Sequence, residues 1–546
     1  MKTLIIGGVA AGMSAATRLR RLDENAEIVI FEMGENVSYA NCGLPYFIGD
    51  VISKRDALLL QTPQSLLARF RLDVRVRNMV TSINATSKTV AVRNLETGED
   101  YEESYDKLVI TTGAKPRRLD IVGIDRALFL RDVADADKLK AAVDHVEKKT
   151  AVILGAGFIG VEVAENLAHL GFSVSLVQRG SSILGGFDLE MIEPLQKRLE
   201  ENGVRLFLNA EPSSVTEDNV VLTDDTVLEA AVLVSAVGVS PDNALAKAAG
   251  LRIGATGGLW VDDQQRTSDP HIFAAGDAVE KHGMLIGDSA LIPLANLANR
   301  HGRLIADVIA GLKTRAHDAL GTAIIGAFGM SVAKTGLSER EAKALGKAHA
   351  VIHVHPNDHA GYYPGATRVS LKVIFDPTNG KLLGAQGVGN AGVDKRIDVI
   401  ATAIFGGLTI DDLMDLELSY APQFGSAKDA VNMAGYVGNN VLHETTPSIQ
   451  WHELSDALAT GAQLIDVRTT SENSAGAIAG SILIPVDELR DHVDEIAREN
   501  VIVHCAVGQR GHTATQILRS HGIEVRNLDG GYTTWRSGQE ALARNA

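Results

Sequence analysis

Two apolar runs that each end in a glycine turn and pass into a helix set the strongest limit on how this chain can fold. The first, Thr3–Gly7, ends in GGVAAG and is followed by a helical stretch, Gly12–Leu22, and a second apolar run, Glu27–Glu32. The second, Thr150–Gly155, ends in GAGFIG, with a helix to about Leu170 and a strand at Ser173–Val177. Each is a βαβ unit with glycines at its first turn, a geometry that aims helix amides at a pyrophosphate. Two such units predict two dinucleotide sites in an α/β chain with two Rossmann-like domains.

In GGVAAG, Gly7 permits the tight turn and Gly12 lets the helix pack close to the strand, while Val9 stands at the middle glycine position. Glu32, about 20 residues further on, is placed to bind ribose hydroxyls. In GAGFIGVE the match is complete through Gly155, Gly157 and Gly160. The carboxylate expected after the next strand is replaced by Gln178, followed by Arg179. A carboxylate there would repel a 2′-phosphate, so NADH and NADPH both remain open. Phe158 either covers a nicotinamide pocket or packs in the core under its helix.

The chain has 546 residues, room for several domains, and a net charge of -16. That charge argues against a nucleic-acid partner, for which a basic stripe is expected. No apolar stretch reaches the roughly 20 residues of a membrane span. The opening MKTLIIGGVAAG reads as a first strand rather than a leader peptide. The two cysteines, Cys42 and Cys505, lie in different segments and make no disulfide framework, which suits a reducing compartment. The expected location is the cytoplasm, and no metal site is expected.

Cys42 lies in VSYANCGLPYFIGD, a short turn after the strand that carries Glu32, between Asn41 and Gly43. A helix beginning near it is expected to lower its thiol pKa and favour thiolate. Only one protein thiol is then available beside a cofactor bound on this side. Its redox cycle has to run through a sulfenic acid, a mixed disulfide or a persulfide.

Further motifs carry a resemblance. TSDPHIFAAGDAVE (267–280) and TTGAKP (111–116) resemble the second flavin motif and the linking motif of the two-dinucleotide flavoprotein disulfide reductases. That resemblance implies FAD, with Asp277 on its ribitol chain and Thr111 and Gly113 beside it. SYANCGLPY, HAGYYPGA (359–366) and LSYAPQFGSAKDAVNMAGY (418–436) resemble coenzyme A disulfide reductase and its rhodanese-fused relatives, the coenzyme A persulfide and polysulfide reductases. The chain lacks the CxxxxC pair of glutathione-reductase-like enzymes. It has Ala10 where peroxidases and water-forming oxidases of the wider family commonly carry a histidine. The resemblance implies a homodimer in which Tyr362 and Tyr420 reach across the interface toward Cys42. Coenzyme A would then use Arg18, Arg20, Arg21, Arg300 and Arg303 for its phosphates, and Ser38, Asn41 and Asn296 for its pantetheine arm.

At the C-terminus, HCAVGQR (504–510) follows an apolar strand and leads into a helix, and the loop Cys505–Arg510 resembles the active loop of rhodanese. Amides at a helix N-terminus can stabilise a thiolate and its persulfide, and Arg510 is expected to add a cation for a sulfur anion. DVR at 466–468 and LDGGYTTW at 528–535 fit the same frame. Ala477 stands where that family often has histidine, while Glu472 remains.

The expected organisation is an FAD-binding domain at 1–115 and 246–322, an NAD(P)H-binding domain at 116–245, an α+β dimerisation domain at 323–442 and a rhodanese-like α/β domain at 449–546. The expected activity passes electrons from NADH or NADPH through FAD to Cys42. It reduces coenzyme A persulfide, polysulfide or coenzyme A disulfide, with Cys505 relaying sulfane sulfur. Its alternatives are plain coenzyme A disulfide reduction, an NADH oxidase, and a redox-sensing binding protein.

Overall fold

The structure, a computed structural model, describes residues 1–545. It divides into two compact units, one of residues 1–177 and 210–321, the other of 178–209 and 322 onward.

In the first unit the GGVAAG turn is enforced by close backbone contact. Gly7 has φ +102°, and a Cβ there would lie 2.3 Å from Thr111 O; a Cβ on Gly12 would lie 2.0 Å from Gly7 O. The strand Lys2–Ile6 therefore hands directly to the helix Ala10–Leu22. That strand is central in a five-stranded parallel sheet, ordered 272–274, 107–110, 2–6, 27–31 and 73–75. Such central strands are covered on both faces and need apolar residues throughout. Ile5, Ile28, Ile30, Val109 and Phe273 fill one face with Leu304 and Ile305; Leu4, Val29, Leu108 and Ile272 fill the other. The helix Ala295–Ile309 crosses Ala10–Leu22 closely because Gly302 sits on the Ala11 backbone.

The GAGFIG unit repeats this construction. Thr150–Leu154 pairs in parallel with Ser173–Val177 on one side and Val232–Ser235 on the other, and the helix Phe158–His169 follows the turn. Gly155 and Gly160 are again closed in by backbone, but a Cβ on Gly157 would meet nothing within 4 Å. The central glycine of this turn thus faces open space, where a dinucleotide's pyrophosphate would approach.

The second unit holds two sheets. One is antiparallel, in the order 323–327, 330–336, 382–389, 369–375 and 350–354, with the helices Val393–Gly406 and Ala430–Leu442. The other is parallel, in the order 448–449, 525–528, 501–504, 463–466 and 482–483. The helix Leu189–Glu201 belongs to this unit and packs on the C-terminal helix Gly531–Ala543.

Candidate functional site

Around Cys42 the chain presents a set of groups suited to a bound dinucleotide. The carboxylate of Glu32, at the end of its strand, accepts hydrogen bonds from the amides of Gly8 and Gly34, both at 2.8 Å. Thr111 Oγ1 donates to the carbonyls of Ile6 and Gly7, which locks the linking motif to the glycine turn. Gly113 has φ +72°, a backbone conformation that favours glycine, with the Arg131 guanidinium beside it. Asp277 lies in the short turn Gly276–Ala278 after the strand Ile272–Ala274. Asn41 Oδ1 is buried and has no hydrogen-bond partner among the described residues. Such an atom costs on the order of 1–3 kcal/mol unless something donates to it. The glycine cradles, Glu32 and Asp277 fit FAD, the orphaned acceptor fits a donor on a bound ligand, and Gly157 with the open turn around it fits a nicotinamide dinucleotide. Phe158 is 38% exposed at the start of its helix. Its ring is thus partly open to solvent rather than buried in the core.

Cys42 is exposed, in the short turn Asn41–Gly43 just before the helix Leu44–Ile48. The expected drop in its thiol pKa is not what these surroundings produce. Partial burial pushes the thiol up, and the carboxylates of Glu162 and Asp277 add to the rise; the backbone hydrogen bond opposes it only in part. The helix after it is a single turn and begins at Leu44, too short to outweigh two nearby negative charges. Glu162, the eighth residue of GAGFIGVE, was not singled out from the sequence. Burial raises its carboxyl to about 7, against the opposing hydrogen bond from Tyr46.

The basic candidates on the first helix separate. Arg20 is buried, and its guanidinium donates to the carbonyls of Phe70, Asp23, Glu24 and Arg71. It ties the helix to the following segment and is not available to a phosphate, contrary to expectation. Arg21 lies over the Phe70 ring, and Arg18 Nε donates to Asp307 at 2.6 Å. Arg300 is exposed. Ser38 adopts φ +48°, which holds its amide on Gly8 O and its carbonyl on the Leu60 amide. Gln178 stands directly after its strand, with Arg179 exposed beside it.

In the second unit Tyr362 and Tyr420 do come together. Their hydroxyls are 2.9 Å apart, on side chains 76% and 48% exposed. The hydrogen bond to Tyr420 raises the pKa of Tyr362.

The Cys505 loop follows the strand Val501–His504 and precedes the helix Gln509–Ser520. Cys505 is buried, and the Gly508 amide donates to its sulfur at 3.1 Å. Arg510 is not a free cation. Glu472 receives it through both carboxylate oxygens, each at 2.7 Å, and this pairing holds the Glu472 carboxyl down at about 2. The same carboxylate caps the helix Thr470–Ser474 through Thr469, which explains its position in the chain.

The same unit contains a buried ionic network that the sequence did not suggest. Lys372 is 0% exposed, and its ammonium reaches Glu190 at 2.5 Å, Glu339 at 2.6 Å and Asp188 at 2.9 Å. These three carboxylates stand close enough to hold a metal ion, but the ammonium already occupies their centre. His353, on the neighbouring strand, pairs with both Asp529 and Glu190. The network's only sequence mark is a lysine set among apolar residues in VSLKVIF.

Comparison with known proteins finds relatives along most of the chain. The family described as pyridine nucleotide-disulphide oxidoreductase matches residues 1–302, its dimerisation domain 323–431, and the rhodanese-like domain 450–538. Coenzyme A disulfide reductase of Staphylococcus haemolyticus is 35% identical over 436 residues, covering 80% of this chain and 98% of that protein. Among solved structures, reduced Bacillus anthracis CoADR-RHD superposes with a TM-score of 0.97 at 43% identity, covering 100% of this chain and 98% of that one. A NAD-dependent persulfide reductase from A. fulgidus gives 0.92 at 35% identity, covering 98% and 100%.

Proposed function

Since this chain belongs to the pyridine nucleotide-disulphide oxidoreductase family, we propose that it reduces the sulfur–sulfur bond of coenzyme A persulfide, polysulfide or coenzyme A disulfide with NAD(P)H, using Cys42 as its single redox thiol. The observation that carries this reading is that Cys42 is exposed in a chain whose only other cysteine, Cys505, is buried in a different unit. With no second cysteine in its own unit, Cys42 is left to form its bond with a substrate sulfur.

Bound FAD would pass the two electrons of NAD(P)H to the S–S bond formed on Cys42, cleaving it and restoring the Cys42 thiolate. The residues of the chain bind, orient and handle protons. Cys42 Sγ attacks the substrate sulfur, forming a new S–S bond and displacing a thiolate. Glu162, whose charge acts on the Cys42 thiol and whose carboxyl burial raises to about 7, is the proposed acceptor of the thiol proton. Tyr362 and Tyr420, from the other subunit of a homodimer, donate a proton to the departing thiolate. For a persulfide, coenzyme A persulfide, NAD(P)H and a proton give coenzyme A, hydrogen sulfide and NAD(P)⁺.

The same reading places FAD on Gly7, Gly12, Glu32, Thr111, Gly113 and Asp277, and the nicotinamide dinucleotide on Gly155, Gly157, Phe158, Gly160 and Gln178. It gives coenzyme A to Ser38, Asn41, Arg18 and Arg300. Cys505 takes up sulfane sulfur as a persulfide and passes it to coenzyme A, which fits a buried sulfur held by an amide at a helix N-terminus. Among the described residues no helix is long and apolar enough to cross a membrane. A cytoplasmic location is part of the proposal, supported by two cysteines that are both free.

The test is a pair of variants. Cys42→Ser should lose NAD(P)H oxidation with every sulfur substrate, and Cys505→Ser should keep coenzyme A disulfide turnover while losing sulfane transfer. Retention of normal disulfide turnover by Cys42→Ser would overturn the assignment.

A further inference from the structure

We propose that Asp529 is a positioning residue for the Cys505 loop, and that His353 of the antiparallel sheet is the group that holds it in place. This rests on the reading of Cys505 as the sulfur carrier. Asp529 is the first residue after the strand Val525–Leu528, and its carboxylate is committed entirely to His353. Oδ1 accepts the His353 backbone amide at 3.1 Å, and Oδ2 accepts the imidazole Nδ1 at 2.6 Å. The other ring nitrogen meets Glu190 Oε1 at 3.2 Å. A carboxylate that engages the backbone and the ring of one residue is fixed in two directions at once.

The two residues after Asp529 connect this anchor to the reactive sulfur. Gly530 and Gly531 both have positive φ, +64° and +61°. They turn the chain so that the Tyr532 amide donates to Cys505 O at 2.8 Å and the Thr533 amide to Ala506 O at 3.0 Å. The first two residues of the active loop therefore hang from the turn that Asp529 begins. Gly530 lies so close to the sheet that a Cβ would come within 2.8 Å of His353 Cβ. A displacement at His353 is thus passed to the carbonyl of Cys505 through three residues of tightly turned backbone. Nucleophile placement is sensitive to shifts of this order, with about 1 Å costing about a hundredfold. A neighbouring contact supplies the comparison. His355 Nε2 meets Thr534 Oγ1 at 2.8 Å and joins the same two elements, but it lies beyond the residues that carry the loop.

The experiment uses the full-length holoenzyme and measures two activities. One is transfer of sulfane sulfur from glutathione persulfide to cyanide, and the other is NAD(P)H-dependent turnover of coenzyme A disulfide. Asp529→Asn and His353→Gln should each lower kcat for transfer by about tenfold or more, with KM within about twofold. Both should leave disulfide turnover within about twofold, and both should alter the pH dependence of Cys505 alkylation by iodoacetamide. His355→Gln should leave transfer kinetics unchanged. Unaltered transfer in both Asp529→Asn and His353→Gln would overturn the proposal, as would an equal loss in His355→Gln. Cys505→Ser separates the premise: if it still transfers sulfur, the relay role itself fails. If Cys505→Ser is inactive while the Asp529 and His353 variants are normal, only the positioning role fails.

Discussion

Tyr46 Oη lies 3.4 Å from Glu162 Oε1, joining the segment just after Cys42 to the helix that follows GAGFIG. Burial raises this carboxyl from 4.5 to about 7. It binds its proton more tightly in the folded chain, so its contribution to stability falls as pH rises from 4.5 through about 7. Glu162→Gln should therefore be more stable than the parent above neutral pH, by on the order of 2 kcal/mol. It should also lower the pH at which Cys42 is half alkylated, because one of the two charges that raise the thiol is gone. Unchanged alkylation would show that Glu162 does not act on Cys42.

The hydroxyl pair of Tyr362 and Tyr420 is expected to protonate a leaving thiolate. Replacing both by phenylalanine should reduce kcat for coenzyme A disulfide by about a hundredfold, the usual worth of a general acid. Flavin absorbance should be unaffected. Single replacements should each cost less, since either phenol can serve alone. A double variant with full kcat would remove these residues from the chemistry.

Glu472 is ion-paired with Arg510, whose guanidinium also interacts with Cys505. Freed of its partner, Arg510 should favour a doubly charged sulfur donor. Glu472→Gln keeps the capping shape at Thr469 and should raise kcat/KM for thiosulfate about tenfold relative to glutathione persulfide, equivalent to about 1.4 kcal/mol. A ratio that does not move would mean that Arg510 plays no part in anion selection.

The ionic network should show in stability. Burial opposes the charge on His353, yet Asp529 and Glu190 outweigh it and raise its pKa to about 9. That contribution is fully present below the ordinary 6.5 and is lost as pH rises through about 9. Asp529, Glu190, Lys372 and His355 are the titratable groups acting on the ring. Thermal unfolding followed from neutral pH to pH 10 should fall more steeply for the parent than for His353→Gln. Separately, Lys372→Met should cost about 3–5 kcal/mol at neutral pH, because it leaves three buried carboxylates without their cation.

The range of each interaction along the chain decided whether the sequence disclosed it. The strand Ser173–Val177 occurs where its apolar run predicted, and Gly7, Gly12, Gly155 and Gly160 were legible because backbone clearance leaves no alternative residue. Cys42, Asp277 and the Cys505 loop stood out through short motifs. The environment of Cys42 did not: its sign depends on Glu162, 120 positions away in the chain yet close in space. In the same way Arg510 reads as a cation until Glu472 is found across from it, and Arg20 as a surface charge until four carbonyls close over it. Lys372 carries a faint mark, an ammonium in a strand otherwise made for a core, but its three partners come from other elements.

The exposure of Cys42, with Cys505 shut away, has a consequence for any sample of the protein. An oxidised sulfur at position 42 has no sibling in the chain with which to close a ring. If Cys42 is the proposed redox thiol, an oxidised preparation should carry a small thiol on it, and intact mass before and after reduction would identify that thiol.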